Sequence, residues 1–165
     1  MNKGIQRGFG AIAAIVVLVM LGALSAAMLR FGVGASISSA QDIGSARALQ
    51  AAKAGIEWGL YATLQSDGIW RTASACNTGT QTLDLSADTG FWVTVRCTAT
   101  SDYFEGESAI GTGTKVRGLR IRATACNSPT GCPNDAAALG QGYIERVKEA
   151  ITFCPVGTAS GECPP

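Results

Sequence analysis

Residues 11–29 read AIAAIVVLVMLGALSAAML, nineteen positions without a charge. A helix needs about 20 predominantly apolar residues to cross the hydrocarbon core of a bilayer. Lys3 and Arg7 precede the run. Positive charge on that flank keeps the leader in the cytoplasm and sends everything after Arg30 across the membrane. In a Gram-negative cell the far side is the periplasm. The six cysteines, Cys76, Cys97, Cys126, Cys132, Cys154 and Cys163, all follow the run. An even number of them suits an oxidising compartment, where disulfides staple a domain too small to rely on its core alone. Two independent arguments thus place the downstream region on the same side.

Charge and side-chain chemistry exclude several functions. Thirteen basic residues oppose twelve acidic ones, for a net charge of +1. The basic footprint of a nucleic-acid-binding protein is missing, so nucleic acid is not expected as a partner. There is no histidine, which removes the commonest general base near neutral pH and the commonest zinc ligand. No nucleophile has a recognisable base partner, and an enzyme is not expected. The cysteines form no CxxC pair, which favours disulfides over a metal site. Six cysteines allow 15 pairings. Short spacing favours Cys126 with Cys132 and Cys154 with Cys163, leaving Cys76 for Cys97, but sequence alone keeps the alternatives open.

Beyond the apolar run, helix-forming residues continue to about Leu64, with Leu49, Ala52, Ile56, Leu60 and Thr63 recurring at three- and four-residue steps. A helix from Phe9 to Leu64 would be roughly 80 Å long, far more than a bilayer requires. Its first half is expected in membrane or filament core and its second half against a globular head. Gly32, Gly34 and Gly44 each cost about 1 kcal/mol relative to alanine, which predicts a bend or melted stretch between the halves. Gly55 and Gly59, four apart, leave one helix face open to close backbone approach, with Trp58 and Tyr61 packing beside it.

After Leu64 the period becomes two. Phe91, Val93, Val95 and Cys97 alternate with Trp92, Thr94 and Arg96; Leu119, Ile121, Ala123 and Ala125 alternate with Arg120, Arg122 and Thr124. A third run places Val147, Ile151 and Phe153 opposite Arg146, Lys148 and Thr152. The fold class expected is α+β, a long N-terminal helix packed on an antiparallel sheet head. Arg96, Arg120, Arg122, Arg146 and Lys148 would share the outward face, either against an acidic sibling surface or, more simply, in solvent. Asp102, Glu105 and Glu107 offer the hard oxygen ligands calcium takes, but the spacing does not match an EF-hand and an ordinary polar turn is the simpler expectation. The chain therefore divides into a leader (1–8), a transmembrane or filament-core helix (9–30), an amphipathic continuation (31–64) and a disulfide-stapled, β-rich periplasmic head (65–165).

An ordinary secretory signal has an apolar region of about 7–15 residues followed by a small-residue cleavage site. This run is longer, although Ala23-Leu24-Ser25 and Ser25-Ala26-Ala27 have the right residues for such a site. A simple membrane anchor is the other plain alternative. The junction Lys3-Gly4-Ile5-Gln6-Arg7-Gly8-Phe9 instead resembles the prepilin-peptidase site of type IV pilins and type II secretion pseudopilins. That resemblance implies cleavage between Gly8 and Phe9, methylation of the new terminus, and a retained single-pass helix in the inner membrane. The stretch RALQAAKAGIEWGLYATL is similar to the end of the N-terminal helix in the MshP family of MSHA (mannose-sensitive haemagglutinin) pilus biogenesis proteins. Those are minor pilin-like subunits, which implies other pilin and minor pilin subunits and prepilin peptidase as partners. One position departs from the pilin pattern. The fifth residue after the junction is Ala13, where pilins carry glutamate. An intramembrane carboxylate is retained for a partner, in pilins the amino terminus of a neighbouring subunit as the resemblance implies. Without it, a place at a filament tip is expected, the plainer alternative being that Ala13 only weakens docking. The Cys154–Cys163 segment likewise resembles the disulfide-bounded C-terminal loop of type IV pilins, and opening it is expected to cost about 2–4 kcal/mol.

Overall fold

The computed structural model describes residues 9–109, 112–157 and 161–163. Helix α1 (Phe9–Leu64) is followed by α2 (Ala73–Thr78), β1 (Thr80–Leu85), α3 (Ser86–Thr89), β2 (Phe91–Ala99), β3 (Tyr103–Ala109), β4 (Thr112–Cys126), α4 (Asp135–Ala138) and β5 (Glu145–Pro155). Helix and antiparallel sheet make this an α+β chain, in the order the residue patterns predict. Two compact units divide at Asp42 and Ile43.

The described part of the first unit is helical throughout. Gly10–Leu29 is long and apolar enough to cross a membrane, and its residues are exposed. Helical structure passes Gly32, Gly34 and Gly44 without the predicted melted stretch. About 1 kcal/mol per glycine is a weak preference when helix formers flank it on both sides.

In the second unit, all strand pairs are antiparallel, in the order β1-β2-β4, with β5 on the far edge of β4. Val116 pairs with both Tyr103 and Pro155. Strand β3 therefore lies on the side of β4 opposite β5, following β2 along the same edge, and the β3–β4 hairpin extends beyond the sheet's core. Phe91, Val93, Val95 and Cys97 of β2, and Leu119, Ile121, Ala123 and Ala125 of β4, are all buried. Residues 43–64 of α1 cover them.

The helix seat differs from the stripe read in the sequence. Its fully covered positions are Ala48, Ala51, Ala52, Gly55, Gly59, Ala62 and Thr63, whereas Leu49, Ile56 and Leu60 sit at its flanks, half-buried. A Cβ on Gly55 would stand 2.6 Å from Val93 Cγ1, and one on Gly59 would stand 2.4 Å from Ile121 Cγ2. Bulk comes from the sheet and smallness from the helix, so large side chains on the helix are pushed to the margins. Buried Thr63 donates its hydroxyl to the carbonyls of Gly59 (3.1 Å) and Leu60 (3.0 Å), which removes the penalty of covering it. Trp58 meets Trp70 edge-on, ring centroids 5.0 Å apart. Tyr61 does not pack beside the glycines; it is exposed and donates to Asp67 (2.6 Å).

Strand β5 also reverses one expectation. Its register, Arg120 opposite Ile151 and Arg122 opposite Glu149, turns Val147, Ile151 and Phe153 outward and Arg146 and Lys148 to the helix side. Arg146 there donates to Ser45 Oγ (2.8 Å). An edge strand lies beyond the helix, so apolar burial no longer selects which face turns in.

Candidate functional site

Three disulfides divide the labour of holding the head. Cys76–Cys97 ties α2 to β2, Cys126–Cys132 closes the turn after β4, and Cys154–Cys163 bounds the C-terminal loop. They are the set that short spacing favours. Helix α2, which carries Cys76, is capped by Thr72, whose hydroxyl accepts from Ala75 N–H (3.1 Å).

The C-terminal loop is also gripped by two arginines that the sequence reading did not single out. Arg71 donates from Nε (3.1 Å) and Nη2 (3.0 Å) to the Cys163 carbonyl, and from Nη1 to the Ser66 carbonyl (2.8 Å). Arg117, almost wholly buried, donates from Nη1 to the Gly161 carbonyl (3.0 Å) and from Nε to Asp102 Oδ1 (2.7 Å). The signal was present: Arg117 has the same parity as Leu119 and Ile121, so a strand extended two residues earlier turns it inward. Both arginines thus hold the Gly161–Cys163 end of the loop against the head.

Arg117 decides the chemistry of the acidic segment. Its hydrogen bond to Asp102, with Lys115 3.6 Å away, holds that carboxyl below the usual carboxylate range. The two cations occupy both carboxylate oxygens that a calcium ion would take, Arg117 at Oδ1 and Lys115 at Oδ2. Glu105 is exposed and the side chain of Glu107 lies outside the described residues. Among the described residues, no group of three acidic or cysteine side chains is arranged for a metal. Because the folded-state pKa of Asp102 is depressed, its contribution is complete above the unfolded value and lost as pH falls through the folded one. Stability should therefore decline as pH falls from the ordinary carboxylate range down through that depressed value, and Asp102→Asn should flatten the pH dependence over that window. A circular-dichroism titration of both proteins checks this; identical acid profiles would contradict it.

The outer sheet face carries the remaining charge. Across the strands, one row reads Thr80, Arg96, Arg122, Glu149; the next reads Thr98, Arg120, Ile151; a third reads Thr82, Thr94, Thr124, Val147. Arg96 stands directly opposite Arg122, an arrangement that repels. Arg122 is relieved by Glu149 at 3.6 Å, but Arg96 and Arg120 make no ion pair among the described residues. These side chains line an open groove of about 440 Å³. Its upper wall is the loop after β4, where Cys132 N–H donates to Thr94 Oγ1 (3.1 Å) and Pro133 stands over the threonines. Arg146 and Lys148, expected here, are on the other face.

No family model, curated protein or solved structure matches this chain. Of the residues singled out in the sequence, Gly55, Gly59 and Trp58 are brought together at the helix seat and the six cysteines pair within the head. Phe9 opens α1, and Gly8 lies outside the described residues. The first unit offers an exposed apolar helix and the second a disulfide-stapled surface.

Proposed function

We propose that this chain is a minor pilin-like subunit that helps initiate, build or cap an MSHA-type or other type IV pilus. The observation that carries the reading is the exposed, charge-free helix Gly10–Leu29, placed directly behind the Gly8-Phe9 junction and followed by a disulfide-stapled α+β head. In this reading prepilin peptidase removes residues 1–8 on the cytoplasmic side and the new terminus is methylated. The helix then holds the subunit in the inner membrane, with its head in the periplasm, until other pilin and minor pilin subunits take it up. A bare apolar helix suits that life because it exchanges lipid for the apolar helices of neighbours at little cost in burial. Ala13 supplies no carboxylate to a neighbouring terminus, which favours a low-copy place at the filament tip over repeated internal use. A type II secretion pseudopilin shares the same processing and membrane logic, and is the alternative within this class.

Deleting the protein and imaging the cells tests the role. Loss of filaments, restored by the wild-type chain, is the expected result. Normal filaments with lost attachment would instead make the head a surface-binding module whose N-terminal segment only delivers it.

A further inference from the structure

Three arginines on the outer face crowd one another. Arg96 stands directly opposite Arg122, and Arg120 is its diagonal neighbour, within reach of a long side chain. Glu149 relieves Arg122 alone; Arg96 and Arg120 make neither an ion pair nor a hydrogen bond among the described residues. The groove they line holds a second unmet demand. Thr124 is 7% exposed, yet its hydroxyl oxygen is accessible and has no hydrogen-bond partner among the described residues. Hydroxyls so deeply covered are nearly always bonded. We infer that this groove binds a glycan, taking one carboxylated sugar unit with neutral units beside it.

The donor and acceptor set selects that class. Arginine only donates, ionised glutamate only accepts, and threonine does both. A sugar acid answers all three, with a carboxylate for Arg96 and Arg120 and hydroxyls for Thr124 and for Glu145 and Glu149. Three arginines against two glutamates leave a single positive charge, which suits one carboxylate. A nucleic acid or an acidic peptide brings a row of anions and meets both glutamates. Thr94 accepts from Cys132 N–H (3.1 Å) and keeps its own proton for a ligand oxygen. That bond and the Cys126–Cys132 disulfide fix the wall that carries Pro133, so little ordering is needed on binding. Past Arg120 the face continues to Gly118, where Phe153 Cε1 stands 3.4 Å from the place a Cβ would take. Phe153 is 59% exposed and offers a flat apolar surface to the C–H face of a neighbouring neutral sugar. Residues 43–64 of α1 cover the opposite face of the sheet, so the groove stays open when the head is folded. Such a site suits a subunit at a filament tip, but the inference rests on the head alone and is tested apart from processing and assembly.

Isothermal titration calorimetry of the full chain, in an uncharged detergent without a sugar headgroup, tests this. The probes are sialyllactose and a hyaluronan tetrasaccharide, with lactose as the neutral control and poly-glutamate and a DNA oligonucleotide as polyanions. At least one acidic glycan should bind about tenfold or more tightly than lactose, and Arg96→Gln with Arg120→Gln should remove that advantage. Thr124→Val, which keeps the shape and deletes the hydroxyl, should weaken binding by about three- to tenfold. Near-UV circular dichroism confirms that these substitutions leave the fold intact. Acidic glycans that bind no better than lactose overturn the inference. So does binding indifferent to the arginine pair or to loss of the Thr124 hydroxyl. Poly-glutamate or DNA binding more tightly than both glycans also overturns it and gives the face to an acidic protein or a nucleic acid.

Discussion

Placing valine at both Gly55 and Gly59 will lift the helix off the sheet and lower the stability of the head by roughly 2–6 kcal/mol, at 1–3 for each overpacked site. A Cβ at Gly55 meets not only Val93 at 2.6 Å but Ala123 Cβ at 3.0 Å and Val95 Cγ2 at 3.2 Å; at Gly59 it meets Ile121 at 2.4 Å and Val95 Cγ1 at 3.1 Å. These neighbours are alanine and β-branched side chains in the buried middle of β2 and β4, with no far end that can swing away. Replacing glycine by valine in a helix interior is by itself favourable by roughly a few tenths of a kcal/mol, so a net loss isolates the steric term. Ala54→Val, on the exposed side of the same helix, supplies the comparison for valine's helix propensity. Urea unfolding, followed through the near-UV signal of the Trp58–Trp70 pair, reads both effects. Equal midpoints for the double variant and the wild type would show that the helix does not sit where Gly55 and Gly59 place it.

Reducing the disulfides will have the other large effect. The bridged positions are 21, 6 and 9 residues apart. Loop-closure entropy assigns them roughly 3, 2 and 2.5 kcal/mol respectively. Together these are on the order of 5–8 kcal/mol, comparable to the whole stability of a small domain, 5–15 kcal/mol. Cys76–Cys97 should matter most, because it closes the longest loop. The unfolding midpoint should therefore fall steeply with reductant, and a Cys76→Ala/Cys97→Ala variant should reproduce the largest single share. A head whose midpoint is unmoved by reductant would mean that its core suffices without the staples.

The sequence was most legible where one rule governed each residue. Alternation in β2 and the second half of β4 identified the buried face because α1 covers those strands, and Gly55 and Gly59 announced a close approach because little else explains a pair of glycines in a long helix. It was least legible at the edges. In β5 the apolar residues Val147, Ile151 and Phe153 turn outward: the register is set by pairing with β4 and by Cys154, which is buried in its bond to Cys163. Strand β1, TQTLDL, has exposed threonines and only two half-buried leucines, Leu83 and Leu85, too short an alternation to register as a period. Strand β3 pairs with shifts of register between Phe104 and Glu107 and between Glu107 and Ala109, which blurs the alternation. The apolar stripe of α1 misled by size: Leu49, Ile56 and Leu60 carry the hydrophobic signal, but alanine and glycine occupy the contact. For the sheet face, Arg96, Arg120 and Arg122 were legible as one group from strand parity, whereas Arg117 was hidden by a strand whose beginning was placed too late.

The proposed role depends first on how the apolar helix begins. Intact-mass and N-terminal peptide mass spectrometry of the chain recovered from membranes of its own cells tests that directly. The account predicts a mature protein starting at Phe9, its amino group methylated. A chain that begins near Ala26, or one that keeps residues 1–8, would contradict it.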